Sequence, residues 1–517
     1  MKLTDIIERG EKETPDRPAL IFRDRIISYS KLSNETKRLA GGLSSLGLGK
    51  GDRVALLLPN IPPFVYAYYA ASYIGATAVP ANPLLKPPEL AYIWKDADIK
   101  AVITSSSLLP GVIQACKELP NLSHVISVSD HNEFQSEVPG LISFEALLSK
   151  RHKLECVDID ENDCAVIIYT SGTTGHPKGA MLSHKNLIRN VEQIREILKI
   201  SPNDVFLTIL PLFHSFAGTV CMNLALSAGA ASVLVESFHP GKAIETTVKR
   251  RVTIFASVPA HLNALLLSSP DTMPDPAKLR FFLSGGSALP VSTLEAVEAL
   301  YRVPVIEGYG PTECSPVTSV NPFEGIRKPG SVGLPLPGVE VAIFDDFDQS
   351  LKPEEIGEIV VRGDNVMLGY LNQPEATEEA FRGGWYHTGD IGKLDSDGYL
   401  FILDRKKDMV ITAGMNVYPR EVEEVLLKHP AVADAAVIGL SDALRGEEVT
   451  AVIVLRPESE PVSERSIIRH CRTLLADYKS PRRVLFRSDI PRSAAGKALK
   501  RLLKKELEHQ QIIEVET

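Results

Sequence analysis

The chain has 517 residues, 44% of them hydrophobic and 23% charged, the mix of a folded protein rather than a disordered one. Its 56 Lys and Arg stand against 65 Asp and Glu, a formal charge of −9, which argues against a nucleic-acid binder, whose footprint is basic. Any polyanionic ligand must then be captured by local groups and not by a global field.

The N-terminal stretch "MKLTDIIERGEKETPDRP" is charged throughout and has no apolar core, so no secretory signal is expected. Cys116, Cys156, Cys164, Cys221, Cys314 and Cys471 form no C-x-x-C pair and no zinc-like cluster. A reducing, cytoplasmic setting without a disulfide frame or structural metal follows. Two long runs, 54–85 and 205–235, carry no Asp, Glu, Lys or Arg. Pro59, Pro62, Pro63, Pro80 and Pro83 cut the first into strand, turn, helix and strand. Pro211 and Gly218 cut the second into strand, loop, buried helix and strand. Both are expected as buried α/β elements rather than membrane spans.

Up to about residue 320, short apolar runs such as "AVIIY" and "SVLVE" alternate with helical patterns such as "NLIRNVEQIREIL". That alternation predicts parallel sheets with helices on their faces. From about 330, "GEIVVRG" and "DGYLFIL" predict a small β-rich, barrel-like subdomain. A helix is expected after Pro419 and before Pro430, followed by strands and a last helical part. The expected division is 1–403 (about 1–170 and 171–330 as α/β parts, 331–403 as the β part), a hinge at 404–407, and 408–517. The fold class is α/β: a large N-terminal domain of stacked sheets and a small mobile α+β C-terminal domain.

Five segments could carry chemistry. "YTSGTTGHPKGAML" (169–182) concentrates glycines, hydroxyls and a lysine, the ingredients of a phosphate cradle. It is not a P-loop, because His176 and Pro177 separate Gly175 from Lys178. A flexible loop without a ligand is its plain rival. "EGYGPTECSP" (307–316) offers a tyrosine on a tight glycine turn for stacking, a threonine donor, and a carboxylate of the kind that holds Mg²⁺ with substrate phosphates. In "YHTGD" (386–390) the aspartate can accept from both hydroxyls of a ribose. "LDRKKDMVITAGMNVYPREVE" opens on a charge cluster, and "PRSAAGKALKR" presents Lys497 after small residues; a solvated linker and a surface lysine are their bland readings.

In this order and at these intervals, the five segments resemble the adenylate-forming superfamily of acyl-CoA synthetases, amino-acid-activating domains and firefly-type luciferases, over roughly residues 10 to 505. "LPLFHSFAGTVCMNLALSAGA" and "LDRKKDMVITAGMNVYPREVEEVL" are most similar to bacterial long-chain or medium-chain fatty acyl-CoA ligases. The resemblance implies ATP, Mg²⁺ and CoA as co-reactants and two half-reactions. A carboxylate first attacks the α-phosphorus of ATP, and the thiol of CoA then takes the acyl group from acyl-AMP.

It also implies roles. Thr170, Ser171, Gly172, Thr173, Thr174, Gly175 and Lys178 would wrap the outer phosphates, with Thr173 and Glu313 at the metal. Gly286, Ser287 and Ala288 would face Tyr309 across the adenine, within the turn Glu307, Gly308, Tyr309, Gly310, and Thr312 would touch the α-phosphate. Asp390 would bind the ribose hydroxyls, and Arg405 would reach the ribose or phosphate from the linker. Lys497 would bridge carboxylate and α-phosphate, His214 would stand beside the carboxylate, and Lys407 would be the pivot of a swinging C-terminal domain. Gly414 and Asn416 would line the CoA tunnel after the swing. The 205–235 region lacks the Asp or Glu that would hold a substrate ammonium, which points to a plain carboxylic acid.

Two departures from the family stand out: Gly218 where some long-chain relatives carry an aromatic gate, and Ala495 where a hydroxyl is usual. Phe216 is a candidate to close the channel instead. The alternatives are an acyl-AMP ligase loading a carrier protein, a luciferase-like oxygenase, a ligase for an aryl or branched acid, and a non-catalytic nucleotide binder. Partners are expected to be small molecules, with no nucleic acid and no transmembrane segment. Transient membrane association and monomer versus homodimer are left open.

Overall fold

The computed structural model describes residues 1–517 except 130–140, 151, 155, 171–176, 269–272, 443–444, 494–497 and 517, and it describes no side chains over 509–516. Two large sheets dominate. In one, Ile254–Ser257 lies between Val205–Thr208 and Phe281–Ser284, and the parallel order continues to Ala231–Leu234 on one side and Val305–Tyr309 on the other. In the other, Arg53–Leu57 lies between Thr77–Pro80 and Ala101–Ser105, all parallel.

Parallel strands need crossovers, and crossovers cover both faces of a sheet with helices. The side-chain alternation follows. Leu56 faces the layer shared by both sheets, while Ala55 and Leu57 face an outer helical layer with Trp94. In the first sheet Phe281 and Leu283 point inward and Phe282 points out towards Val297 and Tyr301. The shared layer contains the helix Pro62–Tyr73, in which 11 of 12 residues are buried, so it has no solvated face to charge. That burial explains the first uncharged run. Among the described residues, no helix is long and apolar enough to cross a membrane.

The second uncharged run folds as expected, with one refinement. Val205–Thr208 and Ala231–Leu234 are strands, and the helix between them is a π-helix over Ala217–Leu224. π-Helical turns are rare and concentrate at functional sites. Buried polar bonds pin this one: Thr219 donates to the Ser315 carbonyl at 3.0 Å, and Asn223 accepts from Tyr69 at 2.7 Å.

A third sheet is antiparallel, with Glu340–Phe344, Gly357–Arg362, Trp385–Leu394 and Leu400–Arg405. It ends at Arg405. A fourth sheet begins at Val410–Thr412 and includes Val432–Asp442 and Gly446–Leu455, backed by the helices Pro419–Leu427 and Glu464–Leu474. The helix start at Pro419 agrees with the sequence reading.

Candidate active site

Four elements converge on one cleft of about 2300 Å³. The hairpin Cys164–Thr170 and Lys178–Ser183 brings its two inner ends there, with Thr170 directly opposite Lys178. The Thr170 hydroxyl donates to Glu313 at 3.2 Å. Glu313 also accepts from the Tyr370 hydroxyl at 3.0 Å, and the Lys178 ammonium stands 5.1 Å above the Tyr370 ring. The carboxylate thus sits at the mouth of the hairpin. The tip itself, with Ser171, Gly172, Thr173, Thr174 and Gly175, lies outside the described residues.

Tyr309 ends the strand Val305–Tyr309 and donates to Asp390 at 2.5 Å. Arg405 is the cross-strand neighbour of Asp390, and its Nε stands 3.5 Å from that carboxylate. Tyrosine, aspartate and arginine thus form one group where the third sheet meets the first. Gly310 is required by space, since a Cβ there would collide with the Pro316 carbonyl. Thr312 pairs with Ser215 at 3.0 Å, which ties the loop before the π-helix to the same turn.

His214 lines the cleft, and its Nδ1 accepts from the Phe216 amide at 3.2 Å. Gly286, Ser287 and Ala288 line the cleft together with Gly308 and Tyr309. Glu307 behaves differently from a surface ligand group. It is 2% exposed, accepts from the Leu289 amide at 3.0 Å, and leaves Oε2 without a partner. Burial pushes its carboxyl up to about 7, against the pull of Arg420. Glu307 therefore shapes the 286–289 turn from beneath.

Phe213, Phe216, Val220, Ile194, Leu198 and Val332 contribute apolar lining to the same cleft. The Phe216 ring packs on the backbone of Gly285. Gly218 lies fully within the π-helix, where an added Cβ would meet only the Leu212 carbonyl at 3.2 Å.

Lys497 lies outside the described residues. Its flanks do not: Arg492 and Ala498 bridge at the neck of that loop, and Arg492, Ser493 and Ala498 line the cleft. Lys407 lines it as well. Gly414 and Asn416 are not brought to the cleft. They stand on the exposed hairpin Val410–Thr412 and Met415–Val417, whose two-residue turn has Ala413 at φ 51° and Gly414 at φ 78°. Such a turn needs positive φ at both positions, which favours the glycine.

Sequence reasoning missed Tyr370, although "LGYLN" places an aromatic beside a glycine turn. It also missed Asn60. This buried amide donates to the Thr208, Leu210 and Val235 carbonyls and accepts from Leu212, holding the loop that carries His214. The run "LLPNIPP" signals only a turn.

A carboxylate beside a hydroxyl and an ammonium, next to a tyrosine–aspartate–arginine group, is a donor set that suits phosphate, metal and ribose hydroxyls. The comparisons agree. The AMP-binding enzyme family model matches residues 7–371, and its C-terminal domain model matches residues 421–497. The chain belongs to the AMP-binding enzyme family.

A long-chain-fatty-acid–CoA ligase of Bacillus subtilis (strain 168) is 36% identical to it, over 99% of this chain and 95% of that protein. The anthranilate CoA ligase AuaEII, crystallised with anthranoyl-AMP, superposes with a TM-score of 0.92 at 30% identity, covering 99% of this chain and 98% of that one. MatB from Rhodopseudomonas palustris is 33% identical, covering 98% of this chain and 99% of that one, and scores 0.90 in its ATP-bound crystal and 0.79 in its apo crystal.

Proposed function

We propose that this protein is an ATP-dependent, AMP-forming acid–thiol ligase that activates a medium- or long-chain fatty acid and transfers it to CoA in the cytoplasm. The observation that carries this reading is the single cleft lined both by Thr170, Lys178, Glu313, Tyr309, Asp390 and Arg405 and by the apolar Phe213, Phe216, Val220, Ile194 and Leu198. The curated fatty-acid ligase relative supports the acid; the full-length match supports the whole reaction.

A carboxylate oxygen is a poor leaving group and AMP is a good one, so activation must precede thioester formation. The first step asks mainly for positioning and for charge stabilisation on phosphate. Lys178 and the 170–175 turn hold the departing pyrophosphate. Tyr309 stacks on adenine, while Asp390, released from the Tyr309 hydroxyl, accepts from the ribose with Arg405 beside it. Thr312 donates to the α-phosphate, His214 stands by the carboxylate, and Lys497 bridges carboxylate and phosphate. Mg²⁺ fits the donor set, since one carboxylate, Glu313, next to the Thr170 hydroxyl suits an ion that keeps its water and phosphate ligands. It would neutralise phosphate charge.

The chain divides at 404–407, with Lys407 as pivot. The likeness to ATP-bound over apo MatB supports reading the present arrangement as the one for phosphate chemistry. Gly414 and Asn416, now remote, would reach the cleft after rotation and guide the pantetheine arm. A second reading, an aryl or branched acid, is supported by the likeness to the anthranilate CoA ligase AuaEII.

The test is Lys497→Ala. Acyl-AMP formation should fall by about 10²–10³, while thioester formation from supplied acyl-AMP persists. An equal fall in both half-reactions would refute the role given to Lys497.

A further inference from the structure

The helix Pro419–Leu427 starts without a cap of its own. Tyr418, the residue before it, makes no side-chain capping bond. The free amide of Arg420 is satisfied from elsewhere: it donates at 2.8 Å to Oδ2 of Asp404, which lies in the preceding sheet. An acidic group at a helix N-terminus is favourable, and a basic residue in the first turn is not. Arg420 is nevertheless there and 8% exposed. Its guanidinium donates to the Ile402 carbonyl at 2.6 Å and to Glu424 at 3.1 Å, and it lies close enough to the buried Glu307 to act on its charge.

Ile402 and Asp404 belong to the strand Leu400–Arg405, which is paired into the third sheet. Arg420 belongs to the helix beyond the linker. Two hydrogen bonds of one residue therefore cross from the C-terminal part to the N-terminal part. The same helix carries Glu423, whose carboxylate pairs with Lys500 at 2.8 Å within the cleft wall. Lys500 stands two residues after Ala498, which bridges to Arg492. A mechanical chain thus runs from Ile402 and Asp404 through Arg420, the helix and the Glu423–Lys500 pair to the segment that borders the cleft.

We infer that Arg420 and Asp404 form a clasp that holds the C-terminal part in the arrangement for phosphate chemistry, making Arg420 a positioning residue for the first half-reaction. The inference rests on the two-step reading above. Rotation about the linker cannot proceed without breaking both cross-linker bonds, so the clasp must open before thioester formation.

The test uses the full chain with Arg420→Ala, Arg420→Lys and Asp404→Asn. Acid-dependent ATP–pyrophosphate exchange reports the first half-reaction, and acyl-CoA formation from supplied acyl-adenylate reports the second. Tryptic cutting after Arg405, Lys406 or Lys407 reports the clasp without any activity. Arg420→Ala should lower the exchange kcat about tenfold, the scale set by a lost charge-assisted bond, with little change in KM for the acid. Thioester formation should hold or rise, linker cutting should quicken by a similar factor, and Arg420→Lys should restore part of the exchange. A parallel fall of both half-reactions, or exchange and cutting equal to wild type, overturns the clasp. Asp404→Asn weakens the other cross-linker bond, the one to the Arg420 amide, so it should shift exchange and linker cutting in the same direction and decides the clasp should Arg420→Ala fail to fold. Absence of exchange with every acid in the wild type would sink the two-step reading instead, and the cutting rates would still decide the clasp.

Discussion

Glu307 is a carboxyl taken out of its ordinary range by burial. Its carboxyl is buried and pushed up to about 7. A carboxyl whose folded pKa exceeds its unfolded value contributes stability that is complete below the unfolded pKa and is lost as pH rises through the folded one. Thermal stability should therefore decline between about pH 5 and pH 8 through this group, and Glu307→Gln should flatten that part of the profile. Melting curves across the range read this directly; an unchanged slope would show that Glu307 ionises normally.

Tyr370 makes a complementary case. Its hydroxyl donates to Glu313 at 3.0 Å. Tyr370→Phe should raise KM for MgATP several-fold, with little loss of stability, because the ring beneath Lys178 remains. Steady-state kinetics at varied Mg²⁺ measures it.

That Thr170, Lys178, Tyr309, Glu313, Asp390 and Arg405 share one cleft was legible in the sequence because their motifs are short and local. "EGYGPTECSP" runs from the end of the strand Val305–Tyr309 into the short 3-10 helix Thr312–Cys314, with Tyr309 and Glu313 both lining the cleft. Tyr370 and Arg420 were not legible. Each acts through partners 16 or more residues away, Tyr370 on Glu313 and Arg420 on Asp404. Neither residue type announces such a contact.

At the scale of elements, the loop from the strand Val205–Thr208 into the π-helix is held from a different sheet. Asn60 makes four buried hydrogen bonds to it and its surroundings. Replacing one side of a buried polar pair strands the other, at a cost of about 1–3 kcal/mol per group. Asn60→Ala should lower the denaturation midpoint clearly and raise KM for the acid, since the loop carries His214 and Phe216. Chemical denaturation together with acid-dependent kinetics tests both.

The pattern of these elements was readable where strand and helix periods alternate and prolines mark the breaks. The π-helical winding was not. It reflects tertiary anchors such as Thr219 to Ser315, which local propensity cannot encode. Strand order was equally hidden. The N-terminal Pro18–Phe22 pairs with Ala231–Leu234, more than two hundred residues on, a choice made by packing in the shared layer.

At the scale of the molecule, two sheets with a common helical layer build a stiff base. The third sheet brings Asp390 and Arg405 to its edge, and the C-terminal part closes the cleft through Arg420 and Lys500. The separation of roles follows from this layout. Under the proposed function, groups before the linker would bind nucleotide in place, while Lys497 and Gly414, beyond it, would serve one step each.

The most direct measurement is pyrophosphate and AMP release with ATP, Mg²⁺ and CoA across acids from acetate to palmitate, with benzoate and coumarate included. The account predicts stoichiometric AMP, pyrophosphate and acyl-CoA, with the highest kcat/KM for a medium- or long-chain fatty acid. ADP with phosphate as products, or no acid-dependent pyrophosphate from any member of the panel, would contradict it.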